Sequence, residues 1–237
     1  MLVVIPPAPF GRLGALLSAL IVVACLIGLT MHKDFYAGRP RCGFFLYYTN
    51  LSNLIVLLYF SLLAPRLYAR AALWPLIPHV EFAVTMSIML TAVVFDRILK
   101  PPILARMRHQ PHTREFCIVL ADNIFIHYLV PWLTFVYWLL CGPQKGTLSG
   151  ADAGLWTLIP LSYLFYVLLS ARHGPCIPET DSPYPYPFLD AGRLGALSVM
   201  LTCARMLAAC ICCGLFAVLL LRAGFFVFGG GHALLLI

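Results

Sequence analysis

Six long apolar runs alternate with short polar segments, and these runs set the fold before any single residue does. The first two, about 13–31 and 43–65, contain no charge. The third, about 76–98, encloses Glu81, and Pro75 and Pro78 crowd its start. The fourth, about 116–141, encloses Asp122; the fifth, about 153–171, is uncharged; the sixth, about 194–221, encloses Arg205. A helix that crosses a bilayer needs roughly 20 apolar residues. The runs meet that length, so the pattern predicts an all-α integral membrane protein: a six transmembrane helix bundle forming a single polytopic membrane domain over 1–237.

Composition narrows the class. Of 237 residues, 62% are apolar and 11% charged, with a mean hydropathy of +0.91. Soluble domains carry about a quarter charged residues, and no core of this size hides so much apolar surface. That excludes a cytosolic enzyme, a secreted disulfide scaffold and a disordered chain. The net charge of +7 raises nucleic acid as a partner. The basic residues sit between the apolar runs, however, so they read as topology signals and the expected partners are membrane lipids. Connections one, three and five hold most of the Lys and Arg, largely between Arg97 and Arg114. The positive-inside rule then keeps those connections cytoplasmic and puts both termini on the other side of a plasma membrane or endomembrane.

Three other features change little. Val22-Val23-Ala24-Cys25 looks like a lipoprotein cleavage box, but the apolar run continues through Met31, so the segment reads as a retained helix. Gly11–Leu16 and Gly192–Leu197 both spell GRLGAL, without matching flanks, and read as a chance match. The nine cysteines make no zinc pattern, so they read as buried thiols, with no metal and no cofactor expected.

The chemistry rests on polar residues inside the apolar runs. A charge near the middle of a bilayer costs about 2.5–3.5 kcal/mol on insertion scales, so such groups face the bundle and find partners there. The second run carries Tyr47, Tyr48, Thr49, Asn50, Ser52 and Asn53, with Thr49 and Asn53 one helical turn apart. Hydrogen-bond glue between helices is the plainest use of that stripe. The fourth run carries Asp122, Asn123 and His127, then Pro131. A buried imidazole is neutral and can act as a base, and Asn123 can orient it or donate to an oxyanion. Runs two and four start on the same side of the membrane. Thr49 and His127 lie about six and eleven residues into them, a depth difference of roughly 8 Å. Arg205 needs an anion, and Asp122 is the natural partner; a fatty-acid carboxylate is the other. Before the last run, Tyr184-Pro185-Tyr186-Pro187-Phe188-Leu189-Asp190 forbids helix and reads as an extended interfacial lid or loop.

The order Tyr47-Tyr48-Thr49-Asn50-Leu51-Ser52-Asn53, then Asn123, His127 and Pro131, then Tyr184 to Asp190, resembles the androgen-induced protein family of integral membrane threonine hydrolases. That family includes the androgen-dependent regulator of tissue factor pathway inhibitor, and the resemblance is closest to its bacterial branch. It covers roughly helices two to six, and the YPFL-acid string is its most specific part. It implies a carboxylic ester hydrolase that cleaves fatty-acid esters, with Thr49 as nucleophile and His127 as base. Asn53 and Asn123 would serve the oxyanion, and Asp122 and Arg205 would orient or bind. Two other readings remain: a small transporter or proton pathway through Glu81, Asp122, His127 and Arg205, and a non-catalytic scaffold.

Overall fold

The computed structural model describes residues 8–31, 43–69, 77–101, 120–141, 148–174, 176–177 and 180–228. The chain is all-α: among the described residues there is no strand, only an isolated bridge between Ile177 and Ser182. Among the described residues, six helices are long and apolar enough to cross a membrane. They are α1 (Ala8–Met31), α2 (Tyr48–Tyr68), α3 (Ile77–Val94), α4 (Leu120–Cys141), α5 (Gly150–His173) and α6 (Ala196–Phe228). The second helix, α2, starts at Tyr48, five residues after the start of its apolar run. Phe44–Leu46 forms a separate 3-10 turn, and Tyr47 is extended at φ −91, ψ 126, which delays the helix. Thr49 is therefore the second residue of its helix, not the sixth.

The residues divide into two compact units, Met1–Trp74 with Val84–Cys141, and Pro75–Ala83 with Gly142–Ile237. In the first, small residues let helices approach. A Cβ on Gly14 would meet Leu67, Cys141 and Tyr137, whereas one on Gly28 would lie 2.6 Å from Ile126 and 3.0 Å from Phe125. Early α1 thus meets late α2 and late α4, and late α1 meets early α4, so α1 runs antiparallel to both. The Phe60 and Tyr137 rings meet edge to face at 4.9 Å, and Asn53 reaches Ile126. Those contacts rise together in number, so α2 and α4 run the same way. An edge-to-face pair of this kind contributes about 0.5–1.5 kcal/mol beyond area burial.

The second unit is fastened by polar contacts at helix ends. The Asp152 carboxylate accepts from the Ser149 backbone N–H at 2.7 Å, capping α5, and lies 2.6 Å from His79 Nδ1 on α3. Gly214 lets α6 close on α5, where a Cβ would sit 2.6 Å from Trp156 Nε1 and 2.8 Å from the Ala153 carbonyl. The proline-rich connection is folded, not extended. Its prolines forbid α-helix but not a 3-10 turn, which forms at Pro187–Leu189, and Tyr186 stacks on Phe188 at 5.3 Å. Ser182 donates to Asp190 at 2.7 Å, and Asp190 caps the next turn through Arg193 N–H at 3.1 Å. The Ser182 hydrogen bond holds the Asp190 carboxyl below its ordinary 3.8. Pro185, Tyr186 and Asp190 are buried, Tyr184 and Phe188 are half-buried, and Pro187 is exposed.

Candidate functional site

The polar start of α2 divides into residues that hold helices together and one that does not. Tyr48 and Ser87 share a hydroxyl–hydroxyl hydrogen bond at 2.7 Å, and Ser52 and Thr91 share another at 2.7 Å. Asn50 donates to the Phe44 carbonyl at 2.8 Å, fixing the turn ahead of the helix. Asn53 donates to the Thr49 carbonyl at 2.8 Å and to the Ile126 carbonyl at 3.2 Å. Thr49 is 7% exposed, and its hydroxyl donates to no described residue. Its backbone N–H lies in the first helical turn, where no intrahelical acceptor exists.

The Asn53 contact on α4 has a local cause. Phe125–Leu129 is a π turn, in which the Val130 N–H reaches back to the Phe125 carbonyl. In an α-helix that N–H would serve Ile126. In π register the Ile126 carbonyl would look to residue 131, which is Pro131 and has no N–H. In this π register the carbonyl is left without a helix donor, and the Asn53 amide supplies one. Both hydrogens of that amide are thereby directed at backbone carbonyls, so Asn53 braces α2 against α4 beside His127 and has no donor left for an oxyanion.

His127 sits inside the π turn and is 4% exposed. Its ring stacks on Phe95, centroids 3.8 Å apart and planes 12° apart. Phe95 opens a second π turn, Phe95–Leu99, at the end of α3. The next residue on α4, Tyr128, donates to Asp96 at 2.9 Å, and Asp96 also pairs with Lys100 at 2.9 Å. Phe95 was not singled out from the sequence. A signal was present: Phe95 to Pro101 and Phe125 to Pro131 both read F-x-x-x-L-x-P.

The π turn also revises the expected faces of α4. Asn123 and His127 are four apart, a full turn only in an α-helix; here the turn is wider. Asn123 is half-buried, whereas Asp122 is 2% exposed and lies on the buried side with Ile126 and His127. Glu81 is 1% exposed in the other unit. Arg205 belongs to that other unit too, on α6, and is exposed. Asp122, the partner expected for it, belongs to the first unit. A long arginine can run its guanidinium along the helix toward headgroups, which removes the need for a buried anion. Within the first unit, Thr49 and Asn53 on α2 lie against the α4 turn that carries His127.

No protein-family model, curated protein or solved structure matches the chain.

Proposed function

We propose that this multi-pass membrane protein hydrolyses lipid esters, with Thr49 as nucleophile and His127 as base. The observation that carries the reading is the contrast within α2. Tyr48, Asn50, Ser52 and Asn53 are committed to packing, while the buried Thr49 hydroxyl is not. A threonine hydroxyl attacks only when a base accepts its proton. Asn53 ties the Thr49 turn to the carbonyl of the residue before His127, and the Phe95 stack fixes the imidazole plane. Thr49 Oγ1 then attacks the ester carbonyl as His127 takes its proton, and the Thr49 backbone N–H at the positive end of α2 stabilises the oxyanion. Collapse expels the alkoxide, which receives that proton from His127. Water, deprotonated by His127, attacks the threonyl ester, and the fatty acid leaves as His127 returns the proton to Thr49 Oγ1. Catalytic hydrogen bonds tighten on substrate binding, so a resting site without a Thr49–His127 bond suits this scheme. The substrates are membrane lipids, and both termini face away from the cytoplasm in a plasma membrane or endomembrane.

The purified full chain should label with a fluorophosphonate probe and cleave fatty-acid esters. Thr49→Ala and His127→Ala should each abolish both. Labelling that persists in both variants sinks the reading. The scaffold reading draws on the Tyr48–Ser87 and Ser52–Thr91 pairs; it expects those pairs to matter and Thr49→Ala to be silent.

A further inference from the structure

Away from Thr49, at the far end of α2, a groove of about 1110 Å³ runs between α1 and α2. Its walls are short side chains, Ala15 and Ala19 from α1 with Ser61 and Ala64 from α2, and it ends at Arg12 and Tyr68. Because α1 and α2 are antiparallel, Arg12 and Tyr68 lie at one membrane surface: Arg12 opens the first span and Tyr68 closes the second. Arg12 is exposed and makes no hydrogen bond or ion pair with a described residue. At the α-helical rise its α1 wall descends about 16 Å, from Arg12 to Val23, and its α2 wall about 10 Å, from Tyr68 to Ser61. One leaflet of hydrocarbon is about 15 Å deep, half of the usual core.

We propose that this groove holds one acyl chain of an anionic glycerophospholipid, with Arg12 on its phosphate and the Tyr68 phenol at headgroup level. The length fits one leaflet, the apolar walls fit a hydrocarbon chain, and a guanidinium with no ion-pair partner among the described residues selects negative over zwitterionic headgroups. Arginine holds a phosphate with paired N–H donors. The site lies at the opposite end of α2 from Thr49, so it binds a resident lipid and not the substrate of the proposed reaction.

Native mass spectrometry of the full chain can test this, in detergent with an equal mixture of phosphatidylglycerol and phosphatidylcholine of matched chains. Phosphatidylglycerol should be retained about fivefold over phosphatidylcholine, the preference that one basic side chain confers at a membrane surface. Arg12→Gln should bring the ratio to parity, and Ala19→Phe, which fills the groove, should lower retention of both lipids. Probe labelling at Thr49 should survive both substitutions, so failure here is separable from failure of the hydrolase reading. Equal retention by the unaltered chain overturns the proposal, as does a preference that survives Arg12→Gln. A dimer that Ala19→Phe dissociates, with no lipid preference, overturns it too and gives the groove to a second copy.

Discussion

Phe95–Leu99 and Phe125–Leu129 are both five-residue π turns with a proline six residues after the opening phenylalanine, yet one ends at an exposed ion pair and the other encloses a buried histidine. The backbone device is the same. In each, the N–H at the fifth following residue reaches the opening phenylalanine carbonyl, and the proline withholds the next donor. The carbonyls freed are Asp96 and Ile126. Asp96 is exposed at the end of its span, where water and headgroups satisfy a carbonyl at little cost. Ile126 is fully buried, where an unpaired carbonyl is expensive, and Asn53 from another helix takes it. Depth thus turns one motif from a helix ending into a junction between helices. The junction brings α2, and with it Thr49, to the turn that carries His127.

The largest expected effect tests whether the buried turn must be π. Pro131→Ala returns the N–H that the α register needs at the His127 carbonyl. The turn should close to α, rotating His127 away from Phe95. Probe labelling and ester cleavage should fall about a hundredfold, since misplacing a catalytic group by an ångström costs that much. The detergent melting temperature should hold or rise, because a helix interior gains a hydrogen bond. Undiminished turnover would mean that the widened turn is incidental. Pro101→Ala, the matched change at the exposed turn, should alter neither quantity.

Next in size is the brace itself. Asn53→Leu keeps the volume and leaves the buried Ile126 carbonyl without its partner. Unsatisfied buried groups cost about 1–3 kcal/mol, and hydrogen bonds between membrane helices measure at the low end, so a loss of about 1–2 kcal/mol is expected. Unfolding in mixed micelles with increasing dodecyl sulfate reads this directly. A loss no larger than that of Ser52→Ala would show that the junction is ordinary packing.

The sequence made six spans legible because apolar length is a strong signal. It also brought Thr49 and His127 forward through their neighbours Asn53 and Pro131. The geometry between them was not legible, for one physical reason. Face assignments along α4 assumed 3.6 residues per turn, and Pro131 breaks that period just where His127 sits. Asn123, four before His127, is consequently half-buried, while Asp122, five before it, is buried with it, and the Phe95 stack had no periodicity to announce it. Arg205 lies within an apolar run, yet its side chain is exposed, and run length says nothing of which way a residue points.

The smallest effect is expected at the exposed turn, and it is the control on the whole comparison. Asp96→Asn removes the partner of Lys100 and weakens the acceptor for Tyr128, both at a site open to solvent. Exposed pairs of this kind are screened and compete with water, so melting should not shift measurably and probe labelling should be unchanged. Tyr128 adjoins His127, so a clear drop in labelling would be informative. It would mean that the two turns act as one unit, with the Asp96–Tyr128 bond setting the histidine's position from outside the core. In that case Phe95, which opens one turn and stacks on the histidine of the other, would be the coupling element. Phe95→Leu should then reproduce the Asp96→Asn loss, because both would release the same ring.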